Sequence, residues 1–152
     1  MNRIALLLSV FLLQTACSAL PPANVGISNS SLQPCPTTPN CVQSADKKDQ
    51  SHYIAPIKYI GTTSQAKKNL LNALNSTPDT LIVSIENHYI RAECSSKWLG
   101  FIDDVEFLIG DQEVHVRSAS RTGYYDLEVN KKRIEAIRQQ IEARTKPIVG
   151  KP

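Results

Sequence analysis

The amino-acid sequence predicts an α+β domain, in which an antiparallel sheet of about four to five strands carries two helices on one face. Two segments have apolar residues at helical spacing, and several short segments are alternating or continuously apolar. These segments follow one another in the order β-α-β-β-β-β-α. Short turns between successive strands favour antiparallel pairing, and the apolar stripes of both helices must be buried against the sheet.

The first 16 residues have the features of a secretory signal peptide. Arg3 precedes a short, mainly apolar run, which is too short for a membrane-spanning helix of about 20 residues. The sequence Thr15-Ala16-Cys17 resembles the end of a bacterial lipobox, whose cysteine is lipidated and becomes the first residue of the mature protein. Ordinary cleavage near Ala19, with loss of Cys17, is the alternative.

Residues 17–34 are rich in Ser, Pro and Asn and have no apolar period, so we predict a lipid-anchored flexible linker. Several acyl chains on Cys17 would hold the protein on a membrane. Ser18 resembles an outer-membrane sorting signal. We therefore expect a periplasm-facing protein of the bacterial outer membrane, with a single domain over residues 35–146 and a tail over 147–152.

The elements of the domain follow from local patterns. Prolines bracket residues 35–41, which we predict to be a turn or loop. Residues 52–59 are predicted to form a short strand, and Pro56 favours an edge position or a bulge. Thr62 and Gln65 fit a capping box. The helix that begins at this capping box is predicted to end near Asn75. Its apolar stripe consists of Ala66, Leu70, Ala73 and Leu74.

Four further strands and a second helix complete the prediction. The strands are expected at residues 81–86, 89–94, 105–109 and 113–118. Residues 131–144 carry Ile134, Ile137 and Ile141 at helical spacing. Asn130 precedes them and is a favourable N-cap.

The turn between the last two strands determines which charged residues are neighbours. A turn centred on Gly110-Asp111 places Asp104 opposite Arg117, and a turn centred on Asp111-Gln112 places Glu106 opposite Arg117. In both registers Asp104, Glu106, His115 and Arg117 share the face opposite the core, because side chains alternate along a strand.

Cations in the first turn of the last helix oppose the helix dipole, and such local conflicts often mark useful sites. One hypothesis is therefore an anion site of guanidinium, hydroxyl and amide groups. Its residues would be Asp104, Glu106, Arg117, Ser118, Ser120, Arg121, Asn130 and Arg133. The alternative is a network of internal ion pairs, since Asp103, Asp104, Glu106, Asp126 and Glu128 supply as many carboxylates as there are cations.

The remaining cysteines leave several possibilities. Cys35 and Cys41 are bracketed by prolines, and in an oxidising compartment we expect them to form a disulfide. Cys94 would then be a buried thiol. The alternatives are a zinc site from Cys35, Cys41, His52 and Cys94, or a Cys/His nucleophile. We predict no metal and no cofactor.

Three function classes remain open. A net charge of +3 over 152 residues is too small to indicate nucleic-acid binding. The first class is an envelope binding or accessory module for an anionic small ligand or an envelope protein. The second is an envelope hydrolase with Asp103, Asp104 or Glu106 as acid/base and Arg121 stabilising charge. The third is a purely structural lipoprotein.

Several motifs resemble one family in combination. These are CPTTPNCVQS (35–44), HYIAPIKY (52–59), FIDDVEF (101–107) and VRSASRTGYYDLEVNKKRIEAIR (116–138). They are similar to the domain-of-unknown-function family 1499, over roughly residues 33–145. The resemblance implies an exported or lipid-anchored bacterial domain and no assigned activity. Glu128 stands where members of the family usually have glycine.

Overall fold

The computed structural model of the protein describes residues 22–97 and 99–145. The predicted signal peptide, Cys17, Trp98 and the predicted tail lie outside the described residues. Within the described residues, no helix has both the length and the apolar character needed to cross a membrane.

The described residues form ten elements. The strands are β1 (Ile27–Ser28), β2 (Ser31–Leu32), β3 (Cys41–Gln43), β4 (Ile57–Lys58), β5 (Thr80–Ile85), β6 (Tyr89–Ser95), β7 (Ile102–Ile109) and β8 (Glu113–Ser120). The helices are α1 (Thr63–Asn75), between β4 and β5, and α2 (Val129–Thr145), after β8.

The main sheet has six strands, and all of its pairings between strands are antiparallel. Its order is β3-β8-β7-β6-β5, and β4 also pairs with β8. β3 lies beside the end of β8 and β4 lies beside its beginning, so both occupy the same edge. The α+β prediction is confirmed, with more strands than expected. The additional strand is β3, which begins at the last residue of the predicted loop 35–41.

Both helices pack on one face of this sheet. The capping box is present at the start of α1, with Thr62 and Gln65 bonded to each other's backbone N–H groups. The three isoleucines of α2 are fully buried together with Leu70, Leu74, Val105, Phe107 and Val116. These apolar stripes therefore form the core that the helical spacing predicts.

The start of α2 differs from the prediction. The helix begins at Val129, so Asn130 lies inside it and is not the N-cap. Asp126, which precedes the helix by three residues, supplies the capping acceptor, because its carboxylate accepts the backbone N–H groups of Glu128 and Asn130 at 3.1 and 2.9 Å. Asn130 is fully buried and uses its amide in contacts with the sheet.

The other face of the sheet is covered by a segment that we predicted to be a flexible linker. β1 and β2 form a hairpin with Asn29 and Ser30 at its tip, and β2 packs on β7 and β8. Leu32 is buried in this contact. We name residues 22–34 the N-terminal strap. The linker prediction differs from the structure here because short apolar contacts within a polar segment leave no periodic pattern.

Candidate functional site

The register of β7 and β8 places the charged residues of both strands. Glu106 lies opposite Arg117, which corresponds to the second of the two predicted turn registers. Asp104, Glu106 and Arg117 occupy the face away from the helices, as predicted, and all three are fully buried. The strap packs on β7 and β8 over these residues, whereas the same face is exposed at Leu81 of β5.

Glu106 is the centre of the site beneath the strap. Its Oε2 accepts a hydrogen bond from Arg117 Nη1 at 2.7 Å. Its Oε1 accepts two more, from the hydroxyl of Tyr89 at 2.9 Å and from the backbone N–H of Gly26 at 2.5 Å. The strap therefore contributes a main-chain donor to a buried carboxylate. A charged acceptor makes this bond stronger than one between neutral groups.

A second group of charges lies next to Glu106 on the same face. Asp104 Oδ1 accepts a hydrogen bond from Arg91 Nη1 at 2.7 Å, and its Oδ2 accepts one from Arg121 Nε at 2.8 Å. Glu93 also pairs with Arg91 and Arg121. Together with Glu106 and Arg117, these residues place three guanidinium groups and three carboxylates on one face, so their formal charges cancel.

These contacts shift the pKa values of two groups in the direction that favours their protonated forms. Burial raises the pKa of Tyr89 above its ordinary value, and the adjacent charge of Glu106 raises it further. Hydrogen bonding to Asp104 raises the pKa of Arg121. Tyr89 thus remains a hydrogen-bond donor to Glu106 throughout the physiological pH range.

The remaining predicted site residues lie on the helix side of the sheet. Arg133 Nη2 donates to Asp103 Oδ2 at 2.7 Å. The hydroxyl of Ser118 donates to Asn130 Oδ1 at 2.5 Å, and Asn130 Nδ2 donates to Ser120 Oγ at 3.1 Å. This cluster joins the first turn of α2 to the end of β8.

The eight residues of the predicted anion site are therefore divided between two faces. Arg121 and Arg133 each bind carboxylates of the domain itself. A surface cleft of about 170 Å³ reaches Ser120, but Asp103 and Asp126 also line it, and carboxylates repel an anion. Anion binding by these residues stays a prediction that the contacts do not favour.

The carboxylates proposed for hydrolysis are also engaged. Asp103 and Asp104 point to opposite faces of β7, and each binds the guanidinium group of an arginine. Glu106 accepts three hydrogen bonds beneath the strap. A general acid or base must reach the proton that it transfers. Asp104 and Glu106 are fully buried and are not presented to a substrate, whereas Asp103 lines the surface cleft but is bound to Arg133.

The cysteines agree with the first of the expected arrangements. Cys35 and Cys41 form a disulfide. This excludes the zinc site that would have used both thiols. Cys94 is a free, buried thiol, and burial raises its pKa. The hydroxyl oxygen of Thr80 lies 3.3 Å from its sulfur. Among the described residues, no histidine is hydrogen-bonded to this thiol, as a Cys/His nucleophile would require.

Sequence reasoning missed several members of the site. The alternation of residues 89–94, which places Ile90, Ala92 and Cys94 in the core, also places Tyr89, Arg91 and Glu93 on the opposite face. That signal was sufficient to find all three. Gly26 left no such signal, because its contribution is a backbone N–H.

One buried group of the site is incompletely bonded. Arg117 Nε and Nη2 are buried and have no hydrogen-bond partner among the described residues. The N–H groups of these two atoms lie on the same edge of the guanidinium plane and form a fork that suits two acceptor atoms or one bifurcated acceptor. Unpartnered buried donors are rare in folded proteins, so this edge of Arg117 marks a candidate ligand site.

Comparison with known proteins places the chain in a family without assigning it an activity. No curated protein matches the chain. The family model described as "Protein of unknown function (DUF1499)" matches residues 31–141. The match includes β7, β8 and both partners of the Glu106–Arg117 pair, and it begins within the strap, after Gly26. The chain therefore belongs to the DUF1499 family.

Proposed function

We propose that this protein is a binding or accessory module of the bacterial cell envelope, tethered to the outer membrane through a lipid on Cys17 and facing the periplasm. Its ligand site is the buried polar site beneath the strap. The observation that supports this site is the open edge of Arg117. Donors buried without acceptors cost about 1–3 kcal/mol each, a cost that a ligand with suitable acceptors would remove.

The charge balance of this face decides which ligand is suitable. The three guanidinium groups are matched by three carboxylates. An added anion at the fully buried Glu106–Arg117 pair would leave one uncompensated charge there, at a cost of several kcal/mol. A neutral acceptor, such as an amide carbonyl, avoids this cost. The ligand is therefore a neutral group of an envelope protein, and not the anionic small ligand that the sequence suggested.

The tether is tested in cells with the full-length chain and its Cys17→Ser variant. We expect the unmodified chain in the outer-membrane fraction and the variant in the soluble periplasmic fraction, because the acyl chains supply the membrane affinity. Mass spectrometry of the N-terminal peptide would identify the acyl groups. An unmodified N-terminus near Ala19 would instead establish ordinary cleavage and contradict the anchor.

The ligand site is tested by a thermal-shift screen on the chain beginning at residue 18, with peptides, glycans, carboxylates and phosphates. Arg117→Lys is the matched variant, because it keeps the positive charge beside Glu106 and removes the fork. We expect a neutral class of ligand to raise the melting temperature of the unmodified chain only. Equal stabilisation of a folded Arg117→Lys variant would place the ligand elsewhere.

A further inference from the structure

The strap already occupies part of the proposed site, and the way it binds indicates the chemistry of the ligand. Its contact with Glu106 uses a backbone N–H and no side-chain atom. Gly26 has a φ of +103°, which side-chain-bearing residues rarely adopt. A Cβ at this position would contact nothing within 4 Å. Glycine is therefore required there by the path of the main chain and not by lack of space.

The Glu106–Arg117 pair offers both halves of a main-chain recognition site. Glu106 Oε1 accepts an amide N–H, and the open edge of Arg117 can donate to an amide carbonyl. The strap satisfies the first half and leaves the second without a partner among the described residues. Each peptide unit carries one donor and one acceptor, so an extended polypeptide can satisfy both.

The strap also buries little apolar surface. Of its residues, Leu32 is buried, whereas Ile27 and the hairpin tip are exposed or partly exposed. The family match begins at residue 31, so the part of the strap that contacts Glu106 lies before the matched domain. A two-strand hairpin of this size is marginally stable alone. Its docking is therefore easily exchanged for another segment.

On the basis of the proposed binding role, we infer that the site beneath the strap binds the main chain of an extended peptide segment of an envelope protein, and that the tether occupies this site in cis. Partner binding displaces the strap. Because the strap lies between Cys17 and the rest of the domain, its release lengthens the tether, by at most about 3.3–3.6 Å for each residue freed. Binding of the partner would thereby increase the distance that the domain can reach from the membrane.

The experiment uses the chain beginning at residue 18, with nitrogen-15 in its arginine side chains, and follows the Arg117 Nε–H resonance. We expect Leu32→Asp to release the strap, because it removes the buried apolar contact that packs the strap on the sheet and puts in its place a charged group that is costly to bury. Leu81→Asp is the matched control, because Leu81 is exposed on β5. Gly26→Pro is a second release variant, which removes the N–H that Glu106 accepts. Both release variants are first shown to be folded by circular dichroism.

A synthetic peptide of residues 22–34 is then added to each protein. We expect it to restore the Arg117 Nε–H shift in the release variants. Its affinity for the unmodified chain should be weaker by tenfold or more, since the tether competes at an effective concentration on the order of millimolar. The same peptide with an N-methyl group at position 26 should bind about tenfold or more weakly, because it lacks the donor to Glu106.

The possible outcomes separate this inference from the proposed function. A shift of Arg117 with acetate or phosphate, and none with the peptide, would overturn the peptide inference and the neutral class of ligand, and would leave only the binding role of the site. Equal binding of the methylated peptide would overturn main-chain recognition. No response of the release variants to the peptide, to the anions or to any compound of the screen would overturn both proposals.

Discussion

The two faces of the main sheet bury their central residues by different means. On one face, α1 and α2 cover an apolar core, and its polar cluster lies at the edge, around Asn130. On the other, the strap of residues 22–34 contacts Glu106 and packs on β7 and β8, beside a group of six charged side chains and Tyr89. Apolar burial is non-directional and grows with area, whereas a buried charge is stable only when each partner is present.

The difference predicts unequal local stability. The helix face gains from the packing of two long elements, so it should open only when the whole domain unfolds. The strap is joined to Glu106 by one main-chain hydrogen bond and is packed through Leu32. Segments with few buried contacts open at lower free energy than the core. The charged face is therefore the one that the folded protein can expose.

The largest effect should come from breaking the buried ion pair. Arg117→Met leaves Glu106 without its guanidinium partner, and we expect a loss of about 3–5 kcal/mol of unfolding free energy. Urea denaturation at pH 7 measures this loss. The double variant Arg117→Met/Glu106→Leu should recover most of it, because both charges are then absent. A double variant no more stable than Arg117→Met would show that packing, and not charge, dominates at this position.

The second prediction compares how much the helices and the strap each contribute to the unfolding free energy. Ile137→Ala opens a cavity between α2 and the sheet, and we expect a global loss of about 2–5 kcal/mol. Leu32→Ala should cost less than half as much, because it loosens only the strap. Hydrogen exchange should show lost protection confined to residues 22–34 in Leu32→Ala and spread over the sheet in Ile137→Ala. Equal spread in both variants would mean that the strap is part of the core.

Sequence patterns were sufficient for the helix face and for part of the charged face. The stripes of Leu70 and Leu74 in α1 and of Ile137 in α2 follow the helical period, and that period survives in any fold that buries one side of a helix. Strand alternation likewise put Glu106 and Arg117 on a common face. It also allowed two turn registers, and the structure has the one that pairs these two residues.

The rest depended on contacts that have no local signature. Arg121 and Arg133 are near each other in the chain, yet they bind carboxylates on opposite faces of β7. Their proximity in the sequence therefore suggested a single site, whereas the fold places the two arginines in separate clusters. The strap was missed because Gly26 contributes only a backbone N–H, which any residue except proline carries.

A smaller, stabilising effect is expected at the turn that leads into α2 on the helix face. Leu127 and Glu128 have φ values of +55° and +63°, in the left-handed region that disfavours residues with a Cβ. Glu128→Gly should therefore raise the unfolding free energy by about 0.5–1 kcal/mol. Glu128→Ala is the control, since it removes the same side chain and keeps the Cβ. Equal gains in both variants would trace the effect to the carboxylate and not to the backbone.

The smallest effect concerns Tyr89 beneath the strap. Its pKa is raised above the ordinary value of 10.0, first by burial and then by the charge of Glu106. A raised pKa in the folded state means that this stabilisation is complete below about pH 10 and is lost as the pH rises through the folded-state pKa. The urea concentration at the unfolding midpoint should therefore decrease more between pH 8 and pH 11 for the unmodified chain than for Tyr89→Phe.

The ionisation of Tyr89 can also show whether the two faces of the sheet open separately, because Tyr89 lies beneath the strap. In Leu32→Ala water should reach Tyr89 more often, so its phenol should ionise at lower pH, as followed by absorbance near 295 nm. Ile137→Val, a mild change on the helix face, should leave that ionisation where it is in the unmodified chain. If both variants moved it equally, the two faces would open together. The strap would then not be a separately released cover, and a partner could reach Arg117 only through unfolding of the domain.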